Sequence, residues 1–299
     1  MKKVAVVILQ YNNLEETQKC VASLQQLNWD NIEYRFIIVD NGSRGDCGAR
    51  TQALYSGIPY MDVLLSRENL GFARGNNLGI QYAQEQFCPD LIAVSNNDIE
   101  ILDREFFQTL CTIYDAEQFA VCGPDIFSVI KQYHQSPIRI RGYTEAQVVA
   151  LLSEIDRKLK QLYIIKKLHI YELLRFIKRL LGKGGRADAP GYNTAQYDVV
   201  VQGAFFVLSQ GYLEVYKEGL YPATFMYMEE DILAYLCNEK QLKICYSPQL
   251  KVLHYEGAAT AKASKKRVDK YIFELENSKN SAQILLGIMR QNCKGENEK

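Results

Sequence analysis

Three consecutive carboxylates, Glu229, Glu230 and Asp231, close the aromatic run Phe225-Met-Tyr-Met. Acids beside Met and Tyr make poor solvated surface, whereas a hydroxyl that must lose its proton needs a carboxylate base. A second polar cluster, Asn96-Asn97-Asp98, ends the apolar stretch Asp90-Leu-Ile-Ala-Val-Ser, and His254 follows the apolar run Leu250-Lys-Val-Leu. A metal-bound phosphate needs hard oxygen ligands of the Asp98 kind. Together these residue types suit an enzyme acting on a nucleotide-activated substrate.

The elements that must position them alternate. Residues 4–9 are a continuous apolar run, as expected for a parallel strand covered on both faces. Residues 14–27 have helical spacing, and 36–39 form the next strand, ending in the turn-forming Asp40-Asn41-Gly42-Ser43. A third strand spans 61–65 with a helix from about Phe72, and a fourth spans 90–95 with a helix from about Asp103. This order predicts a Rossmann-like, doubly wound, mostly parallel α/β sheet, whose sites lie beyond the carboxyl ends of the strands. Asp40 and Asp98 both fall at such ends.

Between about 132 and 190 the character changes. Residues 144–181 contain no Gly or Pro and carry Leu151, Ile155, Leu159, Leu162, Ile165 and Leu168 at helical spacing. From Arg157 to Arg186 there are ten Lys or Arg against the single acid Glu172. This reads as a long helix or helical hairpin inserted into the α/β core. It is either a solvated basic surface or one that lies on an anionic membrane. The pattern then predicts a strand over 198–208, helices over 209–217 and 231–241, a strand over 242–254 and a C-terminal helix over about 264–290, with a frayed tail from Cys293.

The 299 residues suit one large domain. Lys plus Arg and Asp plus Glu are both 35, so no global field recruits nucleic acid. The eight cysteines are scattered without a C-x-x-C pair and read as reduced thiols. The apolar run at 4–9 is too short for a signal peptide or a membrane span. The expected setting is cytoplasmic, with attachment to the inner face of a membrane if the basic insertion docks there.

The segment Glu68-Asn-Leu-Gly71-Phe-Ala-Arg74-Gly75-Asn76-Asn77-Leu-Gly79 precedes and opens a helix. Its backbone amides could approach an anion that Arg74 neutralises; the alternative is a helix that merely tolerates small residues. No G-x-G-x-x-G follows the first strand and no G-x-x-x-x-G-K-[ST] occurs, which argues against a dinucleotide fold or a P-loop enzyme.

Seven segments, in order and spacing, carry a family resemblance: Val6-Val-Ile-Leu-Gln10-Tyr11-Asn12-Asn13, Ile38-Val39-Asp40-Asn41-Gly42-Ser43, Asn69 to Gly79, Ser95-Asn96-Asn97-Asp98, Val201-Gln202-Gly203-Ala204-Phe205-Phe206, Glu229-Glu230-Asp231-Ile-Leu233 and Val252-Leu-His254-Tyr-Glu-Gly257. The chain resembles family 2 glycosyltransferases of the GT-A fold, in their rhamnosyltransferase-like subgroup, over most of residues 3–260. The resemblance implies that Tyr11 and Asp40, with Gln10, Asn12 and Asn41, hold the base and ribose of a UDP- or dTDP-sugar. It places Asn69, Arg74, Asn77 and Asn97 along the nucleotide and sugar. It implies that Asp98 holds Mg²⁺ or Mn²⁺ across the two phosphates, with His254 as a further ligand or diphosphate contact. Where the family has two acids separated by one residue, the first is Asn96 here, which weakens the ion site. Gln202, Gly203 and Ala204 look like the acceptor-side strand.

The family's base lies three residues before the leucine that is Leu233 here, which makes Glu230 the first choice. Asp231 and Glu229 are the other candidates, and Asp231 could instead cap the helix that starts there. The resemblance thus implies an inverting transfer of a sugar to a hydroxyl of a glycan or lipid-linked acceptor in surface polysaccharide synthesis. A nucleotidyltransferase would share the layout but carry a Gly-rich basic signature after the first strand, where this chain has Gln10-Tyr11-Asn12-Asn13. A degenerate sugar-nucleotide- or glycan-binding module is the alternative from another class, and the intact acidic triplet opposes it.

Overall fold

In the computed structural model, residues 1–168, 187–256 and 266–296 are described. The second half of the basic segment and Gly257 therefore lie outside the described residues. The chain begins β1 (Lys2–Gln10), α1 (Leu14–Gln25), β2 (Ile32–Asp40), α2 (Cys47–Tyr55), β3 (Met61–Leu65), α3 (Gly71–Gln86) and β4 (Leu91–Asn96). It continues with β5 (Ile99–Glu100), α4 (Phe106–Glu117), β6 (Val121–Ser128), β7 (Tyr133–His134) and α5 (Glu145–Lys167). The last part is β8 (Gln196–Tyr197), β9 (Phe205–Ser209), α6 (Gln210–Leu213), α7 (Glu229–Glu239), β10 (Ile244–His254) and α8 (Lys266–Glu296).

One sheet runs in the order β3-β2-β1-β4-β9-β6-β10-β5. The β3-β2-β1-β4 half is parallel, as the continuous apolar runs require, and β6 and β10 are parallel to each other. Strand β9 is antiparallel to both β4 and β6 and joins the two halves. The strand order reverses between β1 and β4, so the crevice beyond Gln10, Asp40 and Asn96 is the topological switch point of the sheet. Alternate residues of β1 feed opposite cores: Val4, Val6 and Ile8 pack with Phe36, Phe106 and Phe107, while Ala5 and Val7 pack with Ile37, Ile80 and Phe206.

The helix expected over 209–217 is confined to Gln210–Leu213, and the tail expected to fray from Cys293 is helical to Glu296. The strand expected over 198–208 is confined to Phe205–Ser209; the buried Val199, Val200 and Val201 instead leave the sheet, with Val200 bridged to Arg139. Strand β6 went unrecognised because Gly123 and Pro124 interrupt its apolar run. Its partner β10 shifts register between Ser247 and Lys251, next to Pro124, where the imino ring has no N–H to give. Helix α2 was also missed, since Cys47–Tyr55 buries only Thr51 and Tyr55 and has no long apolar stripe.

The first half of the basic segment is a helix with a Thr144–Gln147 capping box, and it packs along α8. Both helices meet α7 through a shared cluster of Val148, Ile232, Ala282 and Leu285. Among the described residues no helix is long and apolar enough to cross a membrane.

Helix α3 carries a row of amides on one face. Asn77 accepts the Leu220 N–H at 2.8 Å and donates to the Leu220 carbonyl at 2.7 Å, while Gln81 and Gln84 donate to the carbonyls of Glu218 and Lys217. Asn77 is buried, so truncation strands two backbone groups without solvent. Replacing Asn77 by Ala is expected to cost about 2–3 kcal/mol. Thermal denaturation should show this as a fall in Tm of roughly 5–10 °C; an unchanged Tm would show that the clamp contributes nothing.

Candidate active site

The carboxyl ends of β1 and β2 are in register, with Gln10 opposite Asp40. Gln10 donates from Nε2 to Asp40 Oδ2 and to Thr51 Oγ1, both at 2.7 Å, and the Ser43 N–H donates to Asp40 Oδ1 at 3.0 Å. A carboxylate has room for about four donors, so Asp40 retains capacity for a ligand N–H. Gln10 itself is fully buried and supports Asp40 through its Nε2, while its Oε1 has no hydrogen-bond partner.

Tyr11 stands 40 % exposed at the rim, and its phenol is lowered by hydrogen bonding, first to Asn12 and then to Asn69. Asn12 has a left-handed backbone (φ 59°) and joins the two strand-end loops, its N–H donating to Ser43 Oγ and its Oδ1 accepting from the Arg44 N–H.

Two further expected nucleotide contacts turn inward. Asn41 is buried, donating to the Gly71 carbonyl at 2.9 Å and to Asn69 Oδ1 at 3.1 Å and accepting the Leu70 N–H at 3.0 Å. Asn77 spends both ends of its amide on Leu220. Both shape the loop before α3. Arg74 stays exposed on the first turn of α3, with Nε donating to the Leu70 carbonyl. Asn69 Oδ1 receives the Gly71 N–H at 2.9 Å, which pins the loop at the mouth.

Asp98 and His254 come together from β4–β5 and β10. His254 Nε2 lies 3.3 Å from Asp98 Oδ1, and its Nδ1 is 2.8 Å from Gln135 Oε1. An amide oxygen only accepts, so Nδ1 carries the proton and a neutral ring presents a bare lone pair to Asp98. Two lone pairs at that distance repel unless a proton or a cation lies between them. Adjacent ligands of an octahedral ion at about 2.1 Å lie about 3 Å apart, so the pair fits one edge of a Mg²⁺ or Mn²⁺ shell. Among the described residues no cluster of three or more His, Cys, Asp or Glu forms. Asn97 instead ties β4 to α1, donating to the Asn13 carbonyl and Thr17 Oγ1.

The three acids occupy the first turn of α7, where the helix dipole favours negative charge. The chain enters that turn through Tyr227 (φ 72°) and Met228 (φ 65°), two non-glycine residues in the left-handed region. Such strain persists only where surrounding contacts enforce it. Glu230 Oε1 accepts the Gly203 N–H at 3.0 Å, and a Cβ on Gly203 would fall 2.4 Å from that oxygen, so a larger residue at 203 would displace the carboxylate. The Ala204 carbonyl accepts from the Asn96 N–H at 2.8 Å, and Gln202 Oε1 accepts the Ala204 N–H, which knits this segment to β4 two residues before Asp98.

Burial pushes the Glu230 carboxyl up; its own backbone N–H, that of Gly203 and the Arg139 charge pull it back. Asp231 does not cap α7 with its side chain; it is ion-paired with Arg139, whose guanidinium lies 4.0 Å from the Tyr143 ring centre. Arg139 was missed in the sequence because no local pattern marks it. The bridge to Val200 brings it to the acids from a distant segment.

Glu229 is buried, its Oε1 has no hydrogen-bond partner, and burial together with the neighbouring Glu230 pushes its carboxyl up to about 7. The three acids thus divide into an ion-paired Asp231, a proton-retaining Glu229 and a Glu230 anchored on a backbone N–H. Because the folded state holds the Glu229 proton more tightly than the unfolded chain, it binds more protons between pH 4.5 and about 7. The stability this contributes is present at low pH and is lost as pH rises through about 7. Glu229→Gln should flatten the decline in Tm across that window; a decline as steep as that of the parent protein would contradict the assignment.

Comparisons with known proteins bear on the family and the fold. The crystal structure of S. aureus TarS 1-349 superposes with a TM-score of 0.53 at 11 % identity, covering 93 % of this chain and 72 % of that one, a likeness of fold. The low-salt glycan biosynthesis hexosyltransferase Agl10 of Haloferax volcanii is 26 % identical over 124 residues, 42 % of this chain. The chain spans only 36 % of the length of that relative. The sequence profile of Glycosyl transferase family 2 matches residues 5–172, more than half of the chain, and the mostly parallel α/β sheet is consistent with the GT-A fold. The chain belongs to glycosyl transferase family 2.

Proposed function

We propose that the chain is an inverting glycosyltransferase that moves a hexosyl or deoxyhexosyl unit from UDP- or dTDP-sugar to a hydroxyl of a glycan or lipid-linked acceptor. Agl10 is a hexosyltransferase of glycan biosynthesis, which supports a role in making a surface polysaccharide or related glycan. The observation that carries the reading is the linkage of base and ion site: Glu230 rests on Gly203, and Ala204 is hydrogen-bonded to Asn96 beside Asp98.

In this mechanism Tyr11 and Asp40 receive the nucleotide base at the ends of β1 and β2. Asn69 and Arg74 flank the diphosphate near the N-terminus of α3, where the exposed Arg74 guanidinium and the positive dipole end favour an anion. Asp98 and His254 would hold Mg²⁺ or Mn²⁺, which supplies positive charge to the departing diphosphate. Glu230 accepts the proton of the acceptor hydroxyl as that oxygen forms its bond to the anomeric carbon and the bond to the diphosphate breaks. Burial makes Glu230 a stronger base than a free carboxylate. Arg139 holds Asp231 in place and offsets its charge; Gln202, Gly203 and Ala204 border the acceptor.

Thermal shift with UDP, dTDP, GDP and CDP, with and without Mn²⁺, tests the donor half, because a ligand of the native state raises Tm according to its affinity. Mn²⁺-dependent stabilisation by UDP or dTDP is expected; no response to any nucleotide would leave a non-catalytic module as the better reading. Glu230→Gln should keep the nucleotide shift while lowering turnover by about 10²–10⁴-fold. Survival of turnover would transfer the role of base to another acid.

Helix α5 supports placing the acceptor at a membrane. Its exposed stripe Lys160, Ile164 and Leu168, flanked by Tyr163 and Lys167, combines apolar and basic groups. Flotation with anionic liposomes should carry the protein to the top of the gradient, and Ile164→Ser with Leu168→Ser should weaken that recovery. Failure of the parent protein to float would remove the membrane from the reading.

A further inference from the structure

His254 is held from behind by Gln135, which no motif includes, and by Glu256 of its own segment. Gln135, which follows β7, donates from Nε2 to Glu256 Oε1 at 3.0 Å and to the Tyr133 hydroxyl at 3.1 Å. Glu256 Oε1 also accepts from Ser128 Oγ at 2.9 Å, and Glu256 Oε2 pairs with Lys131 at 2.5 Å. A carboxylate can only accept, so it fixes which end of the Gln135 amide faces it. The amide oxygen is thereby turned to His254 Nδ1, and the ring must carry its proton there. In the neutral ring the lone pair is then at Nε2, 3.3 Å from Asp98 Oδ1.

We propose that Gln135, oriented by Glu256, is a positioning residue that fixes the tautomer and ring angle of His254, so that Nε2 and Asp98 are presented together to a divalent cation. The cation half rests on the ion site proposed above; the tautomer half holds in the metal-free protein. Outer partners that orient a ligating imidazole in this way govern both its direction and its basicity. The device also suits a site with Asn96 in place of an acid. An imidazole that always shows its lone pair leaves fewer arrangements to be frozen when the ion arrives.

The chain has three histidines, so the His254 signals can be identified by their loss in His254→Asn. Long-range ¹H–¹⁵N spectra of ¹⁵N-histidine-labelled, metal-free protein, in buffer alkaline enough for neutral imidazole, should show a protonated Nδ1 and a bare Nε2. In Gln135→Leu the ring should shift toward the Nε2–H form that free imidazole side chains prefer in water. Mn²⁺ titrations followed by electron paramagnetic resonance in the presence of UDP should show about 10–100-fold weaker binding for Gln135→Leu.

An Nε2–H tautomer in the parent protein would overturn the proposal, as would unchanged tautomer and Mn²⁺ affinity in folded Gln135→Leu. The parent tautomer as stated, with no Mn²⁺ uptake alongside any of the four nucleotides, would overturn the ion site and not the orientation of His254.

Discussion

The site depends on one backbone-to-backbone contact, the approach of Gly71 to Phe225. Gly71 is left-handed (φ +81°), and a Cβ there would fall 2.1 Å from the Phe225 carbonyl oxygen. No other residue satisfies both constraints. The reward is that the Phe72 N–H, an orphan donor at the start of α3, reaches Phe225 O at 2.7 Å. The donor-side loop and the segment leading to the acids are thereby locked to each other, four residues ahead of Glu229. Asn41 fixes the loop from beneath, and the Ser281 hydroxyl on α8 holds the Met226 carbonyl from the far side. With both flanks held, the left-handed turns at Tyr227 and Met228 have little freedom to relax.

That locking has an electrostatic consequence. Three acids in a row would repel in any compact arrangement, and burial adds a desolvation cost for each charge. The structure resolves this by giving each acid a different setting: a guanidinium for Asp231, a backbone N–H for Glu230, and burial that pushes the carboxyl up to about 7 for Glu229. The helix dipole favours whatever charge remains. Differences in surroundings, more than in residue type, are what separate a base from its neighbours.

Much of this was legible in the sequence wherever the signal is local. The continuous apolar runs of β1, β2 and β4 gave the parallel half of the sheet, and turn-forming residues at their ends marked Asp40 and Asp98. The acidic triplet announced itself by sitting beside Met and Tyr. What escaped depends on distant segments meeting. Arg139 acquires its role only through the bridge to Val200, and β6 is hidden by Gly123 and Pro124. Asn41 and Asn77 read as ligand contacts because buried amides and ligand-binding amides use the same residue; only the coordinates show that their hydrogen bonds are already spent on backbone. Gln10 poses the same ambiguity, since support for Asp40 and contact with a base call for the same residue at a strand end.

The replacement of an acid by Asn96 bears on how the two halves of the proposed site communicate. At the proposed ion site one carboxylate and one imidazole would leave a divalent ion with most of its charge uncompensated, so the protein alone would offer it a weak site. A diphosphate supplies the missing negative charge and oxygen ligands, and the ion in turn offsets the repulsion between phosphates and Asp98. Each therefore raises the affinity for the other by the same factor, as linkage demands. Such a site fills when the donor arrives and loosens when the nucleotide leaves. An Asp at position 96 would strengthen ion binding on its own and weaken that dependence.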